Sequence, residues 1–383
     1  MIASALLISI SLIVFAIHFL YPSLLKRISQ KQTNVLLAKN SNKNYLYPDL
    51  PTVSILLPVY SEESVIVRRI NNIFESTYPK NKLEVIVIDS GSPDKTRSEI
   101  ESNFKNTVIL ITEEERKGKA HAINLGLEKC NGDIIILTDG TTLYDKETIL
   151  EIVSSFKDNK IGAVSAFYDV PNSDESHVSA SERKFWSHKD NMRLLESNVA
   201  STSWLSGEAC AFRNKIIDKV YEDTLADDSN IALQVISKGY RVVVNQNARF
   251  IERSPTRFSD YVKIKSRRAL GGLMETIRFK SLLFNRDYGY FGTIIFPYRF
   301  FVCLLSPILS CLLIGLAVPT IIEFVSIIGF YFTLLIGIVL SLIFFLFKGL
   351  FMTFFYTQLI TVIAIIWLLS GKKDVRWAKS KTR

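Results

Sequence analysis

The sequence contains few of the residues that build metal clusters and disulfide frameworks. Among its 383 residues there are four cysteines and four histidines. The cysteines, at positions 130, 210, 303 and 311, show neither the close spacing of a zinc site nor the density of a disulfide-rich fold. The histidines form no cluster along the chain. We therefore expect reduced thiols of minor structural importance, and the sequence argues against a metal centre built from histidine and cysteine.

Charged residues are almost absent from the C-terminal part of the chain. Between positions 293 and 370 only Arg299, Glu323 and Lys348 carry a charge. A soluble domain does not tolerate so few charges, whereas each membrane-spanning helix needs about 20 apolar residues. We therefore predict C-terminal transmembrane helices over 293–371, with breaks near Pro319 and Gly349. Three spans fit this length, and so do two spans with one interfacial helix.

A second apolar run lies at the N-terminus, over residues 2–25. No basic residue precedes it, whereas Lys26, Arg27 and Lys31 follow it. A cleaved signal would carry its charge in front, so this pattern predicts a transmembrane helix over 1–27 with its N-terminus outside. The protein would then be an integral protein of the cell membrane with a cytosolic soluble region. The basic tail 372–383 lies inside or outside according to the number of spans, which stays open.

The region between the two apolar parts alternates short apolar runs with helical segments. The runs rich in β-branched residues cover 52–59, 83–88, 107–111, 133–138, 162–168 and 241–245. Continuous apolar strands that alternate with helices predict an α/β domain, here over 48–252, with a Rossmann-like, mainly parallel sheet. In such sheets ligands collect at the carboxyl ends of the strands.

Carboxylates follow three of these predicted strands. Glu62 and Glu63 follow the first, Asp89 the second, and Asp139, with Gly140 after it, the fourth. Each one alone is equally explained as a turn or a helix cap. Together they predict an acidic rim that handles a metal or a phosphate. The first loop, "PVYSEES", has no glycine, which argues against a nucleotidyltransferase built on a glycine-rich phosphate loop.

Basic residues lie where a helix is predicted to begin after the third strand. Arg116, Lys117 and Lys119 occupy this position. The N-terminus of a helix already favours an anion, so cations there cost stability unless a negative group binds. A solvated basic turn is the alternative. The conflict favours a functional role for the segment.

These segments resemble the inverting family 2 glycosyltransferases, membrane-associated enzymes with a GT-A fold. The family includes cellulose, chitin and hyaluronan synthases and many single-sugar transferases. Six segments match in the family's order, over about residues 50 to 250: "VSILLPVYSEE", "VIVIDSGSPDKT", "RKGKAHAINLG", "IIILTDGTTL", "LSGEACAFR" and "LADDSNIALQVISKGYRVV". The resemblance implies a GT-A domain that uses a nucleotide-sugar donor.

The resemblance also implies roles for residues on the donor side. Pro58, Tyr60 and Glu62 would line the nucleotide pocket. Asp89 would contact the base, and Lys119 the base or the diphosphate.

The resemblance further implies that Asp139 is the first carboxylate of the family's D-x-D element, which holds Mg²⁺ or Mn²⁺ against the diphosphate. The second carboxylate falls on Thr141, a weak ligand for a hard cation, so Asp139 would hold most of the metal. Asp228 would be the general base, with Asp227 beside it. Such a base removes the proton of the acceptor hydroxyl during attack, and the metal stabilises the leaving diphosphate. The helix that Asp228 opens would lower its pKa and Asp227 would raise it, so the direction stays open.

On the acceptor side, Ser206, Gly207 and Glu208 would border the bound glycan, in a motif that ends at Arg213. Processive synthases of this family carry a Q-x-x-R-W motif after the catalytic Asp. Here Lys265, Arg268 and Ala269 occupy its three defined positions, so the stacking tryptophan is lost. Arg267 and Arg268 remain available for a diphosphate or an anionic lipid head group. The sequence therefore favours a single addition over polymerisation.

Residues 253–292 combine many basic residues with aromatic ones, among them Phe258, Tyr261, Phe279 and Phe284. This pattern predicts amphipathic interfacial helices that precede the membrane spans. Nucleic-acid binding would give a similar composition, but the neighbouring spans argue against it.

Taken together, the sequence predicts a membrane-bound hexosyltransferase of family 2. It would transfer a hexose or an N-acetylhexosamine from a nucleotide-diphosphate sugar to a lipid-linked or membrane glycan acceptor, with Mg²⁺ or Mn²⁺ as the cofactor. The alternative within the class is a processive synthase that extrudes its product. The alternative from another class is an inactive sugar-nucleotide-binding scaffold, which the Thr141 departure favours.

Overall fold

The computed structural model describes residues 2–36, 50–346 and 348–371. Positions 48 and 49 of the expected catalytic domain and the basic tail 372–383 lie outside the described residues. Within them, a single eight-stranded sheet forms the centre of the soluble domain. Its strands are β1 Val53–Val59, β2 Leu83–Asp89, β3 Ile109–Thr112, β4 Ile134–Thr138, β5 Leu143–Tyr144, β6 Ile161–Asp169, β7 Ala209–Arg213 and β8 Arg241–Ile251.

The sheet confirms the expected α/β fold and is mixed in its strand directions. Its order is β3-β2-β1-β4-β7-β6-β8-β5. Strands β1 to β4 are parallel to their neighbours within that half, and β6 is parallel to β8. Strand β7 runs antiparallel to both β4 and β6, and β5 runs antiparallel to β8. The carboxyl ends of β1, β2 and β4 therefore lie side by side, at the edge where a ligand is expected.

All six strands expected from the sequence are present, and two others were missed. Strand β7 is built from small residues, Ala209, Cys210 and Ala211, followed by Phe212 and Arg213, so it lacks the β-branched run that marked the others. Strand β5 is only two residues long. Strand β8 extends to Ile251, beyond the apolar run 241–245, and this extension carries the chain to the site described below.

Two layers of helices cover the sheet. The helices of the soluble domain are α2 Ile66–Phe74, α3 Thr96–Phe104, α4 Lys119–Leu127, α5 Thr148–Ser154, α6 His177–Val199 and α7 Asp227–Ser237. Alternate residues of β1 point to opposite faces. Leu56 packs in one core cluster with Ile123 of α4, and Ile55 in the other with Ile70 of α2. Truncating one of these buried side chains to alanine should cost about 2–5 kcal/mol.

The remaining helices form a separate group at one side of the domain. They are α1 Ile2–Leu36, α8 Phe258–Arg278, α9 Phe296–Phe300, α10 Ser306–Ile328, α11 Phe330–Leu346 and α12 Lys348–Leu369. Helix α1 packs against α6 and α10, and α8 packs against α12. One turn of π-helix at Phe291–Ile295 precedes α9, and another at Phe301–Leu305 joins α9 to α10.

Buried polar contacts connect this helical group to the soluble domain. Tyr21 of α1 donates to Glu196 Oε1 of α6 at 2.8 Å and stacks on Tyr298. Arg299 of α9 is buried and donates to the carbonyl oxygens of Ser203 and Gly272. A helical group held in this way moves little relative to the catalytic sheet.

Two helices in the described part of the chain are long and apolar enough to cross a membrane. They cover Ile2–Gln30 and Phe291–Ile328, and shorter apolar helices cover Phe330–Val339 and Phe354–Leu369. The break expected near Pro319 is absent, because the helix continues through it to Ile328. It ends at Gly329, whose φ of +81° is a conformation that favours glycine.

Candidate active site

One lysine lies between the carboxylates of two separate elements. Lys119 Nζ is 2.8 Å from Asp139 Oδ1, at the end of β4, and 3.1 Å from Asp227 Oδ2, at the start of α7. The exit of β4 and the N-terminus of α7 therefore border one cleft. The sequence-based assignment placed the D-x-D element and the paired aspartates at the same site, and the coordinates bring these residues together.

The two aspartates also explain how a cation is tolerated at the N-terminus of α4. Helix α4 begins at Lys119, after Gly118 with a φ of +115°. Burial by itself would lower the pKa of Lys119, but Asp139 and Asp227 raise it well above its ordinary value. The ammonium is therefore charged, and the unfavourable interaction with the helix dipole is outweighed by two close ion pairs.

Asp139 itself is buried and packed tightly. Burial raises its pKa, Glu208 adds to this effect, and Lys119 opposes it. A glycine follows Asp139 for a steric reason, because a Cβ at Gly140 would lie 3.2 Å from Glu62 Cγ. Gly140 thus lets the carboxylates of the first and fourth strand exits approach each other.

The Thr141 hydroxyl contacts a carboxylate that was not predicted from the sequence. Its Oγ1 donates to Glu252 Oε1 at 2.6 Å, and Glu252 is only 3% exposed. Glu252 directly follows β8, so it is one more acidic residue at a strand exit. The same rule that selected Asp89 and Asp139 would have found it if the strand had been extended beyond residue 245.

Asp228 lies in the first turn of α7, with its Oδ1 accepting from the backbone N–H of Ser229 at 2.6 Å. Burial and the neighbouring Asp227 raise its pKa to about 6, although Lys189 and the Ser229 N–H oppose them. This settles the direction that the sequence left open. A carboxylate with this pKa is mostly ionised at neutral pH and still basic enough to accept a proton.

The residues assigned to the nucleotide pocket lie at the neighbouring ends of β1 and β2. Pro58 is within β1, and Val59 pairs in register with Asp89. The Arg116 guanidinium lies 3.8 Å from the centre of the Tyr60 ring. Asp89 Oδ1 accepts from the N–H of Ser92 at 3.2 Å, and Glu62 is buried beside Gly140. These residues and Asp139 therefore form one continuous rim.

Two neighbouring arginines of α8 were expected to approach the site. Arg268 donates to Glu208 Oε1 at 2.9 Å, which connects α8 to the cleft. Burial would lower the pKa of Arg268, but Glu208 and Glu252 raise it. Arg267 is half-buried on the same helix. Arg213 lies elsewhere and supports structure: its guanidinium donates to the carbonyl oxygens of Ile161 and Phe156.

Two tryptophans lie near α8, where position 269 lacks an aromatic residue. Trp186 of α6 lies 5.8 Å from the Arg268 guanidinium, and its indole N–H donates to Glu182 Oε1. Trp204 precedes β7 and packs on Gly272 of α8, where an added Cβ would lie 3.1 Å from the indole. Between these rings lies Lys189 of α6. The sequence analysis missed all three, because α6 carries no family motif; a tryptophan in a polar segment was the available signal.

The acidic groups fit a divalent cation in a limited way. No cluster of three or more histidine, cysteine, aspartate or glutamate ligands occurs in the described ranges. Asp139 Oδ1 and Asp227 Oδ2 are nevertheless buried oxygens that meet the Lys119 ammonium as ion pairs rather than as directed hydrogen bonds. Such oxygens suit a hard cation, with Asp139 as the residue that would hold it.

A mixed α/β sheet with acidic residues at adjacent strand exits and an attached helical group defines this chain as a GT-A protein. The same fold is seen in the mannosyltransferase PcManGT from Pyrobaculum calidifontis, solved with GDP-Man and Mn²⁺. That structure has a TM-score of 0.77 at 23% identity, over 97% of this chain and 99% of the other. Residues 54–221 match the model of Glycosyl transferase family 2. The chain carries a family 2 glycosyltransferase domain.

Curated relatives share part of this chain. The probable glycosyltransferase YdaM of Bacillus subtilis is 25% identical over 260 residues, which are 62% of this chain and 59% of that protein. Glycosyltransferase AglE of Haloferax volcanii is 33% identical over 162 residues, 40% of this chain and 51% of AglE. The poly-β-1,6-N-acetyl-D-glucosamine synthase of Staphylococcus aureus is 25% identical over 199 residues, 51% of this chain and 48% of the synthase. The chain thus spans about half the length of these relatives.

Proposed function

We propose that this protein transfers a hexose or an N-acetylhexosamine from a nucleoside-diphosphate sugar to a lipid-linked or membrane glycan acceptor. The observation that carries the proposal is the shared lysine. Lys119 joins Asp139 and Asp227, so the proposed diphosphate side and the proposed base, Asp228, border the same cleft. A single donor sugar would then contact both sides.

The donor would bind along the rim formed by β1, β2 and β4. In this proposal Tyr60, Glu62 and Asp89 hold the nucleoside, and Pro58 shapes the pocket floor. Lys119 and Asp139 lie where the diphosphate would follow, with Arg267 and Arg268 approaching from α8. Lys119 offers a positive charge to the leaving group as negative charge develops on it.

The reaction would be one direct displacement. The acceptor oxygen attacks C1 of the sugar, the bond from C1 to the diphosphate oxygen breaks, and the configuration at C1 inverts. Asp228 accepts the proton of the attacking hydroxyl, which contributes roughly 10²- to 10⁴-fold in rate. Asp227 holds Lys119 near the leaving group, and its negative charge helps to keep the pKa of Asp228 raised.

A divalent cation, Mg²⁺ or Mn²⁺, forms part of the proposal. Asp139 would hold it, with Thr141 and its partner Glu252 next to it. When bound, the cation would neutralise charge on the diphosphate. The solved mannosyltransferase with Mn²⁺ supports this assignment by its fold.

The location at the membrane rests on the apolar helices. Residues of α1 and α10 such as Leu12, Ile314 and Ile322 are exposed, each by more than 60%. Water disfavours such exposure, whereas lipid does not. We propose that α1 and the helices from Phe291 to Leu369 lie in the cell membrane, that residues 253–292 lie at its surface, and that the catalytic domain is cytosolic.

Two measurements test the function. A thermal-shift screen against UDP, GDP and their sugars, with and without Mn²⁺, identifies the nucleotide, because a ligand of the folded state raises its stability. Labelled donor sugar is then supplied with membranes. One added sugar supports the proposal, a ladder of products supports a processive synthase, and binding without transfer under every metal supports an inactive scaffold.

A further inference from the structure

Near the proposed acceptor side of the cleft, three cations each have a carboxylate partner in the described part of the chain, and a fourth does not. Lys265 pairs with Glu182 at 2.9 Å, Arg268 with Glu208 at 2.9 Å, and Arg193 with Asp190 at 2.6 Å. Paired charges of this kind are satisfied within the protein. A cation in such a pair can bind a ligand only if the pair first rearranges.

Lys189 is the exception. Among the described residues its ammonium forms no hydrogen bond and no ion pair. It instead makes cation–π contacts with two aromatic rings. The nitrogen lies 4.6 Å from the centre of the Trp186 ring and 4.8 Å from that of Trp204. The residue is partly exposed. Two indole faces compensate a desolvated cation only in part.

The charge environment of Lys189 also points to a missing anion. Burial and, to a smaller extent, the neighbouring Arg193 and Lys265 together lower its pKa to about 7, although Asp228 opposes them. Lys189 and Asp228 therefore influence each other's charge, yet they form no ion pair within the described residues. An acceptor hydroxyl on its way to Asp228 would pass the Lys189 ammonium.

We propose that the acceptor carries a phosphate group and that Lys189 binds it, between the indole faces of Trp186 and Trp204. The inference rests on the proposed function and names the chemical class of its acceptor. A phosphate presents several oxygens and one or two negative charges, so it can bind the Lys189 ammonium strongly. It also supplies the counter-charge that Lys189 lacks, without disturbing the three existing ion pairs.

The test uses the chemical reactivity of this amine in the intact, detergent-solubilised chain. The protein is saturated with the nucleoside diphosphate that stabilises it, so that added phosphate does not enter the donor site. Reductive methylation at pH 7.5 is followed at each lysine by mass spectrometry. Farnesyl phosphate, farnesol, inorganic phosphate and acetate are added separately. Lys184, exposed on the same helix, is the internal control.

Farnesyl phosphate should slow methylation of Lys189 about threefold or more, because a bound anion raises the pKa of the amine by about one unit or more. Farnesol and acetate should leave the rate unchanged, and Lys184 should react equally in every sample. Protection by inorganic phosphate as well shows that the phosphate group alone suffices. Protection by farnesyl phosphate alone shows that the lipid chain is also recognised.

Equal rates at Lys189 with farnesyl phosphate and farnesol overturn the proposal, and so does equal protection by acetate, which would indicate a carboxylate. Failure of the proposed function is a separate result, since then no nucleoside diphosphate raises the melting temperature. Two variants give a second readout by titration calorimetry. Lys189→Met should weaken farnesyl phosphate binding about tenfold or more, whereas Lys189→Arg retains the charge and most of the affinity.

Discussion

The proposed donor side and the proposed acceptor side of the cleft balance their charges differently. On the donor side one cation, Lys119, is shared by two carboxylates, Asp139 and Asp227. On the acceptor side three cations have one carboxylate each, and Lys189 has two indole rings instead. The donor side therefore has negative charge to spare for a cation, and the acceptor side has positive charge to spare for an anion. The donor diphosphate, itself an anion, would therefore bind together with a divalent cation, whereas a phosphorylated acceptor would meet the Lys189 ammonium directly.

Asp228 lies at the boundary of the two sides, and its replacement should have the largest effect. Asp228→Asn should lower the transfer rate by about 10²- to 10⁴-fold, because the amide cannot accept the proton. Nucleotide binding, measured by thermal shift, should remain. The matched control is Asp218→Asn, whose side chain is 93% exposed and should be neutral. Transfer at the normal rate in Asp228→Asn would remove this residue from the role of base.

Lys119 tests the donor side directly. Lys119→Met leaves Asp139 and Asp227 buried without their counter-charge, which should cost about 3–5 kcal/mol of stability. Because the two oxygens are then free for another cation, Mn²⁺ should restore much of the lost melting temperature. The control is Lys117→Met, an exposed lysine two residues earlier. If Mn²⁺ stabilises Lys119→Met no more than the parent protein, the two aspartates do not share a cation site.

The pH dependence of the transfer rate tests the role of Asp228 in the unmodified protein. The pKa of Asp228 is raised to about 6, and only the ionised form accepts a proton. The transfer rate at low substrate concentration should therefore fall about tenfold for each pH unit below 6 and level off above it. Initial rates from pH 4.5 to 8 give the curve, with melting temperatures recorded across the same range. A rate that stays constant down to pH 4.5 would contradict the raised pKa.

Thr141 should show the smallest effect. Thr141→Val removes the hydrogen bond to Glu252 Oε1, which should cost about 1–3 kcal/mol because a buried acceptor loses a donor. If Glu252 assists Asp139 in holding a cation, the variant should also alter the Mn²⁺ concentration needed for half-maximal stabilisation by the nucleotide. Thr142→Val, at the next buried threonine, serves as the control. An unchanged Mn²⁺ requirement would leave Asp139 as the sole protein ligand on this side.

The donor side was largely predictable from the sequence, and the acceptor side was not. The donor residues follow apolar strands, and the pattern of strands places their carboxyl ends together. Asp89 and Asp139 could therefore be placed at one edge of the sheet, whereas the roles expected of them and of Lys119 came from the resemblance to family 2. Glu252 escaped this reasoning because β8 continues through polar residues after position 245.

The acceptor residues come from helices and from a loop whose positions are fixed only by packing. Helix α6 reaches the cleft because it packs on β8 and on α1, and Trp204 because it lies against Gly272. Neither of these packing contacts produces a periodic pattern in the sequence. The loss of an aromatic residue at Ala269 was readable, but the position of Trp186 and Trp204 near α8 depends on tertiary contacts far along the chain.

Trp204 has a second neighbour on its other face. The Arg299 guanidinium lies 3.9 Å from the ring centre, and it also donates to the Ser203 carbonyl. Cutting the chain before residue 290 to obtain a water-soluble fragment would remove this arginine, uncover the indole and leave the Ser203 carbonyl without this donor. Such a fragment should keep its nucleotide pocket while losing acceptor recognition, so detergent or lipid belongs in every assay of the complete reaction.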